Sequence, residues 1–133
     1  MKNSQGKKIS IVTGASSGIG KAVSIYLAKQ NYLVVLIARN EERLKDVQAE
    51  ILRQNGSSIF CSVDVSEPAQ VKSDIAAVIA KLGTMDLLFN NAGILPVGTT
   101  TTSDSDIDNA IKINLNGAIY VAKYVAEQMK QQR

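Results

Sequence analysis

From residue 13 the sequence reads Thr13-Gly14-Ala15-Ser16-Ser17-Gly18-Ile19-Gly20, and the organisation of the rest of the chain follows from it. These residues connect an apolar run at 9–12 to a helical pattern at 21–30. Glycines permit a tight turn, and the first N–H groups of a helix lack intrahelical partners and attract anions. A strand, a glycine-rich turn and a helix therefore predict a site for dinucleotide phosphates. The alternative is a turn that serves only close packing of the strand and the helix.

Strand-like and helix-like patterns alternate along the whole chain. The expected strands cover residues 9–12, 32–38, 58–63 and 86–89, and the expected helices cover 21–30, 41–55, 67–82 and 104–130. Asn40 and Ser66 are the expected N-caps, and Gly56 and Gly83 mark helix ends. This alternation predicts an α/β fold with a Rossmann-like, doubly wound parallel sheet, strand order 3-2-1-4, and helices on both faces.

Each expected helix carries an apolar stripe that we predict to face the core. The stripe positions are Ile19, Val23, Tyr26 and Leu27; Leu44, Val47, Ile51 and Leu52; Val71, Ile75, Val78, Ile79 and Leu82; and Ile107, Ile111, Ala118, Ala122, Val125 and Met129. Asn114 continues the last stripe, where a buried amide must find hydrogen-bond partners.

Composition excludes several classes of function. The chain has 133 residues, a net charge of +3 and 45% hydrophobic residues, which is typical of one globular domain. Its cations crowd the two ends (Lys2, Lys7, Lys8, Lys130 and Arg133), which is typical of solvated termini and not of a nucleic-acid surface. The chain has no histidine and one cysteine, so we predict no metal site.

Location is predicted from what the sequence lacks. Cys61 lies in an apolar run and is expected to be a buried thiol in a reducing compartment. No segment has the roughly 18 consecutive apolar residues of a membrane helix. Residues 1–6 are polar and do not resemble a secretory signal. We therefore expect a cytoplasmic protein with no membrane contact.

The end of the second strand bears on which dinucleotide would bind. NAD sites place an acidic residue about 20 residues beyond the glycines, whereas NADP sites place an arginine there. Here the strand ends Ala38-Arg39-Asn40, so Arg39 is the expected ligand of a 2′-phosphate, and we favour NADP over NAD. The alternative is an exposed Arg39 that pairs with Glu41 or Glu42. Ser16 and Ser17 offer hydroxyl groups to the other phosphates.

Three motifs together resemble the short-chain dehydrogenase/reductase family. They are the Thr-Gly-x-x-x-Gly-Ile-Gly turn at 13–20, Asn90-Asn91-Ala92-Gly93 and Asn114-Leu115-Asn116-Gly117, in the family's order. The resemblance extends from about Lys7 onward. It implies that residues 1–133 form an NAD(P)-binding Rossmann domain that is incomplete, and that Gly14, Gly18, Ile19 and Gly20 belong to the cofactor turn.

The resemblance also assigns residues at the ends of the third and fourth strands. It implies that Asp64 bonds the adenine amino group, that the backbone of Val65 lies beside it, and that Asn91, Ala92 and Gly93 lie along the cofactor. For Asp64 the alternative is an Asx turn after the strand. For Asn90, a structural role that ties the loop to the first strand is at least as well supported as a role in cofactor binding.

Catalysis is where the resemblance is incomplete. The family transfers a hydride between nicotinamide and a carbonyl or alcohol carbon, with a Tyr as acid/base and a Lys four residues later. None of the four tyrosines here has Lys at that position. Asn114 is the one catalytic candidate, which in the family holds a water of a proton relay; the alternative is an Asn bonded to a backbone carbonyl.

We expect the catalytic half to be absent from these residues, so that the chain alone is inactive. It would act on a small carbonyl or alcohol substrate only if the missing half is present. The alternatives are a non-catalytic NADP-binding module or sensor, and a decayed product that binds no cofactor. We also expect self-association through the last helix, which in the family packs in subunit interfaces.

Overall fold

A computed structural model describes residues 6–96, 98 and 102–132 of the chain. Within these ranges four parallel strands form one sheet in the order β3-β2-β1-β4, as predicted. The strands are β1 (Lys8–Thr13), β2 (Tyr32–Ala38), β3 (Ser57–Ser62) and β4 (Leu87–Phe89). The predictions for Lys2, Arg133 and residues 1–5 lie outside the described residues.

Helices cover both faces of the sheet, as predicted. They are α1 (Gly18–Lys29), α2 (Glu41–Arg53), α3 (Pro68–Leu82), α4 (Asp104–Ile111) and α5 (Ala118–Gln131), with a π-helical segment (Lys112–Gly117) between the last two. The sheet therefore separates two apolar clusters. One contains Ile9 and Ile11 with residues of α3 and α5, and the other contains Val12, Val34 and Leu36 with residues of α1 and α2.

Burial explains why β2 reads as an uninterrupted apolar run. Leu33 to Ile37 are all buried, because β2 lies between β1 and β3 and has helices on both of its faces. β3 is an edge strand whose residues are only partly buried. Cys61 lies on β3 and is half-buried, and burial raises the pKa of its thiol.

The helix caps confirm one sequence prediction and correct another. The side chain of Asn40 accepts a hydrogen bond from the Arg43 N–H at 3.0 Å, so Asn40 caps α2 as predicted. The predicted cap of α3 by Ser66 is wrong. Glu67 occupies the N-cap position, and the Ser66 hydroxyl instead donates to the Asp64 carboxylate at 2.7 Å. The competing Asp64 acceptor explains the difference.

Three of the predicted core residues on α1 and α2 are exposed. Ile19, Tyr26 and Leu52 have exposed fractions of 68%, 60% and 70%. In α1 the buried positions are Gly20, Ser24, Leu27 and Ala28. Leu27 was predicted, but the other three are small residues that a search for large apolar side chains overlooks. The remaining predicted positions on α1, α2 and α3 are buried or partly buried against the two clusters.

The last helix is also not the single α-helix predicted over 104–130. The π-helical segment has more residues per turn than an α-helix, so it shifts the face that its flanking helices present. Ile107 and Ile111 are consequently exposed, by 46% and 49%, while Ile113 and Val121 are buried. Val125 is buried as predicted. Asn114 is exposed, so its predicted place on the core-facing stripe is wrong.

Among the described residues, no helix combines the length and the apolar character needed to cross a bilayer.

Candidate functional site

A cleft of about 850 Å³ lies at the carboxyl ends of the strands. Its walls come from the glycine turn, from the segments after β2 and β3, and from the loop after β4. The predicted residues that line it are Gly14, Ser16, Ser17, Gly18, Ile19, Arg39, Asp64, Val65, Asn91, Ala92 and Gly93. Ligands of open α/β sheets bind at this edge. A separate cavity of about 730 Å³ between α2, β3 and α3 is lined by none of the predicted cofactor-binding residues.

The glycine turn packs against the loop after β4 without room for side chains. Gly14 has a φ of +66°, and a Cβ there would lie 2.9 Å from Asn91 Nδ2 and 3.1 Å from Ala92 Cα. A Cβ on Gly20 would overlap the carbonyl oxygen of Gly14. Gly20, which does not line the cleft, is therefore a packing residue that lets the first turn of α1 approach the turn.

Thr13 connects the glycine turn to the loop after β4. The sequence analysis did not predict this role. Its buried hydroxyl oxygen accepts hydrogen bonds from the N–H groups of Asn91 at 2.8 Å and Ala92 at 2.9 Å. It also lies 3.3 Å from Asn90 Oδ1, to which it donates. A polar residue at the end of a buried strand is the sequence signal that would have identified Thr13, because a buried hydroxyl requires partners.

Asn90 and Asn91 both have structural contacts. The Asn90 amide donates to the Ala118 carbonyl at 2.7 Å, so this side chain connects β1, the loop and α5. The tie to the first strand is therefore present. The Asn91 amide points back to the carbonyl of Thr13 at 3.4 Å, while its residue also lines the cleft.

Asp64 makes the Asx turn that was the alternative to a binding role. Its Oδ1 atom accepts from the Ser66 N–H at 3.0 Å and from the Ser66 hydroxyl at 2.7 Å. Asp64 and Val65 nevertheless both line the cleft. The turn fixes the carboxyl group at the carboxyl end of β3, so the two interpretations of Asp64 are compatible.

The first turn of α1 is electrostatically suited to an anion. Ser17 is the N-cap residue, but its side chain makes no capping hydrogen bond, and the first turn contains no acidic residue. Ser16, Ser17 and Gly18 line the cleft at this point. The partial positive charge of the helix N-terminus therefore faces the cleft with no carboxylate of its own to neutralise it.

Two arginines form a basic wall of the cleft. Arg39 and Arg43 both line it. Glu41 and Glu42, the alternative partners of Arg39, bind Lys45 at 2.9 and 3.3 Å, and they raise the pKa of that lysine. Within the described ranges, no carboxylate forms a salt bridge with either arginine. The sequence analysis did not predict that Arg43 lines the cleft. The available signal was a second arginine four residues after Arg39.

Asn114 supports the cleft from outside its lining. Its Oδ1 atom accepts from the Ile94 N–H and its Nδ2 atom donates to the Ile94 carbonyl, both at 2.7 Å. The backbone bond proposed as the alternative to catalysis is therefore present. Each polar atom of an asparagine amide can make two hydrogen bonds, so the side chain retains the capacity to bind a water.

Comparison with known proteins gives these features a family. A family model described as short chain dehydrogenase matches residues 8–133. The chain belongs to the short-chain dehydrogenase family. An uncharacterized oxidoreductase of Thermotoga maritima is 35% identical over 98% of this chain and 51% of its own length. The chain thus spans about half the length of the curated relatives it matches.

Solved structures of two oxidoreductases that bind nicotinamide dinucleotides share this fold. A variant of actinorhodin polyketide ketoreductase with NADPH has a TM-score of 0.89 and 30% identity, over 98% of this chain and 50% of that one. An NAD⁺-bound xylitol dehydrogenase has a TM-score of 0.87 and 31% identity, over 94% and 49%. These two similar structures hold different dinucleotides, so the choice for this chain must be argued from its own residues.

Proposed function

We propose that this chain is the NADP-binding part of a short-chain dehydrogenase that interconverts a carbonyl and an alcohol on a small molecule. One observation carries the proposal. A single cleft at the carboxyl edge of the sheet brings together the glycine turn, Arg39, Asp64 and the loop 91–93, which are far apart in sequence. Because parallel sheets bind ligands at this edge, the cleft is the natural site for an elongated dinucleotide.

The residues present suit the chemical groups of such a cofactor. The unneutralised N-terminus of α1, with the hydroxyl groups of Ser16 and Ser17, would receive the pyrophosphate. Asp64 and Val65 would contact the adenine. Gly18 and Ile19 would lie under the phosphates, and Asn91, Ala92 and Gly93 would lie along the ribose and beyond. When bound, NADPH supplies the hydride that the reaction requires.

Arg39 supports NADP over NAD. A planar guanidinium can donate two parallel hydrogen bonds to a phosphate, whereas the 2′-hydroxyl of NAD needs an acceptor. The hydroxyl of Ser62 donates to the Arg39 carbonyl at 2.9 Å, which fixes the backbone of Arg39 beside the end of β3. Glu41 and Glu42 are held by Lys45, so neither competes for Arg39.

We propose a positioning role for Asn114 in the reaction of the whole enzyme. Its amide holds the Ile94 backbone, and a water on its remaining hydrogen-bonding capacity would serve the family's proton relay. The 133 residues contain no Tyr followed by Lys at the fourth position, so we propose that they bind the cofactor without turning over substrate by themselves. The same observation favours a second candidate, a non-catalytic NADP-binding module.

We further propose that the protein is cytoplasmic and that it forms homo-oligomers. Ile107, Ile111, Leu115 and Ile119, which we call the apolar row, occur every four residues along α4, the π-helical segment and α5. Their exposed fractions range from 46% to 56%. We propose that a second copy of the chain covers this apolar surface.

Titration with NADPH and NADH tests the cofactor assignment. The chain should bind NADPH at least about tenfold more tightly than NADH, since charge-assisted hydrogen bonds contribute about 1.5–3 kcal/mol each. An Arg39→Gln variant should lose that preference, whereas Arg53→Gln, the same change on an exposed residue of α2, should keep it. Equal affinity for the two dinucleotides would refute the assignment to NADP. Oxidation of NADPH by this chain with a carbonyl compound would refute its proposed inactivity.

A further inference from the structure

We infer that Arg43 is a second specificity-determining residue, which binds the 2′-phosphate of NADP together with Arg39. The inference rests on the proposed function, because it assigns a further residue to the same cleft. Neither the Ala-Arg-Asn end of β2 nor the spacing from the glycine turn points to Arg43. It is the folded structure that brings this side chain to the cleft.

The backbone of Arg43 is fixed relative to Arg39. The Asn40 side chain accepts from the Arg43 N–H at 3.0 Å, which sets the start of α2 immediately after β2. Arg39 stands at the end of β2, and Arg43 stands in the first turn of α2. Arg39, Asn40 and Arg43 thus form one continuous wall of the cleft.

The charge of Arg43 is out of place for the helix alone. The first turn of a helix favours acidic residues, and the third helical position often carries the Glu of a capping box. In α2 the first two residues, Glu41 and Glu42, follow this rule, but the third is Arg43. A cation here interacts unfavourably with the helix dipole. The charge of Arg43 therefore does not stabilise the start of α2, whereas it would attract an anion in the cleft.

Among the residues that the structure describes, no carboxylate neutralises the charges of Arg39 and Arg43. Lys45 takes both Glu41 and Glu42, and within the described residues Arg39 and Arg43 form no salt bridge. Asp64, the acidic residue that lines the cleft, is occupied by Ser66. A 2′-phosphate carries close to two negative charges and three acceptor oxygens. It can therefore accept hydrogen bonds from two guanidinium groups at once.

The test compares direct binding of four ligands, NADPH, NADH, 2′,5′-ADP and 5′-AMP, to the parent chain and three variants. The variants are Arg39→Gln, Arg43→Gln and Arg53→Gln. Arg53 is the matched control because it is exposed in the last turn of the same helix and does not line the cleft. Thermal unfolding of each variant shows that the fold is retained, which we expect because all three side chains are exposed.

We expect Arg43→Gln to weaken NADPH and 2′,5′-ADP binding by about tenfold or more, and to leave NADH and 5′-AMP unchanged. An Arg43→Lys variant should lose part of the affinity, because lysine retains the charge but not the planar fork. The slope of log affinity against log salt concentration should become shallower for NADPH in Arg43→Gln and remain unchanged in Arg53→Gln.

The outcomes separate this inference from the proposed function. If Arg39→Gln weakens NADPH binding and Arg43→Gln does not, Arg43 is a surface residue and only this inference is wrong. If Arg43→Gln weakens NADH and NADPH equally, it acts on the shape of the cleft and the inference is again wrong. If the parent chain binds neither dinucleotide, or binds both equally, the proposed NADP function fails and the inference fails with it.

Discussion

At the scale of single residues, the site depends on contacts between segments that are about 77 residues apart in sequence. The spacing of the glycines was sufficient to predict a tight turn between β1 and α1, because the need for glycine at such a turn is local. The partners of Thr13 could not be predicted, because the strand order places the loop after β4 near the end of β1 but does not say which atoms of the loop meet the hydroxyl. For Asp64 and Asn90, sequence reasoning named the contacts that the structure contains but could not choose between them and a binding role.

Replacing Thr13 by Val tests the connection between the turn and the loop. The change keeps the volume but removes the acceptor of the Asn91 and Ala92 N–H groups. We expect the free energy of unfolding to fall by about 1–3 kcal/mol, because partly buried donors lose their partner. Chemical denaturation would measure the effect.

Thr84 provides the matched control. Its side chain is 4% exposed, and its hydroxyl has no hydrogen-bond partner among the described residues. Thr84→Val should therefore be neutral or stabilising. If the two substitutions cost the same, the hydrogen bonds of Thr13 contribute nothing specific.

Asn114 allows a similar test within one motif. Asn114→Ala should release the Ile94 backbone, accelerate hydrogen exchange of the Ile94 amide and lower stability by about 1–2 kcal/mol. Asn116 lies two residues later in the π-helical segment, and its side chain makes no hydrogen bond to a described residue, so Asn116→Ala is the control. Unchanged exchange at Ile94 in the Asn114 variant would show that the loop holds its shape without this amide.

At the scale of helices and strands, alternating patterns predicted the type and order of the elements. They failed where an element departs from ideal periodicity. In α1 three of the four buried residues are small, and between α4 and α5 the π-helical segment moves the apolar positions to new faces. A pattern with a period of 3.6 residues contains no information about such an insertion, so the mistaken assignment of Asn114 to the core was unavoidable.

A salt bridge between α1 and α2 gives a prediction about pH. Lys21 lies 2.9 Å from Glu50, and its hydrogen bond lowers the pKa of that carboxyl from an ordinary value of 4.5. A carboxyl whose pKa is lower in the folded state stabilises the fold above the ordinary value. That contribution is lost as the pH falls through the lowered value.

Thermal unfolding of the parent chain and Glu50→Gln from pH 7 to pH 3 would check this. The parent should have a small advantage at pH 7 that decreases below pH 4.5 and disappears as the pH falls through the lowered pKa of the Glu50 carboxyl. The advantage should also shrink in high salt, because both side chains are partly exposed. Glu127→Gln, an exposed residue of α5 with no salt bridge to a described residue, should show no such dependence. An advantage that persists unchanged at pH 3 would contradict the assignment to Glu50.

At the scale of the whole molecule, the strand order and the two helical layers followed from the sequence. The surfaces that the fold leaves exposed did not. The predicted stripe on the last helix included Ile107 and Ile111 as core, yet they lie with Leu115 and Ile119 in the exposed apolar row. Self-association therefore remains a prediction, but the residues expected to form the interface are now those of the apolar row.

We predict that the chain self-associates through the apolar row. The paired substitution Ile111→Asp and Leu115→Asp should shift the molar mass measured by light scattering toward the monomer, because charges are costly in an apolar interface. Leu52, which is 70% exposed on α2, provides the control, and Leu52→Asp should leave the molar mass unchanged. A parent chain that is monomeric at the highest concentration tested would rule out this interface.

The hydrogen bonds of Thr13 also have a consequence for the order of folding. The turn that would receive the phosphates is encoded near the N-terminus, but its packing partners, Asn91 and Ala92, are made much later during synthesis. Contacts between such distant segments form only after a large loop has closed. A nascent chain can thus acquire α1 and α2 long before its turn takes the binding shape. During folding, cofactor binding would therefore appear only when β4 docks beside β1. A measurement of helix content would not detect that step.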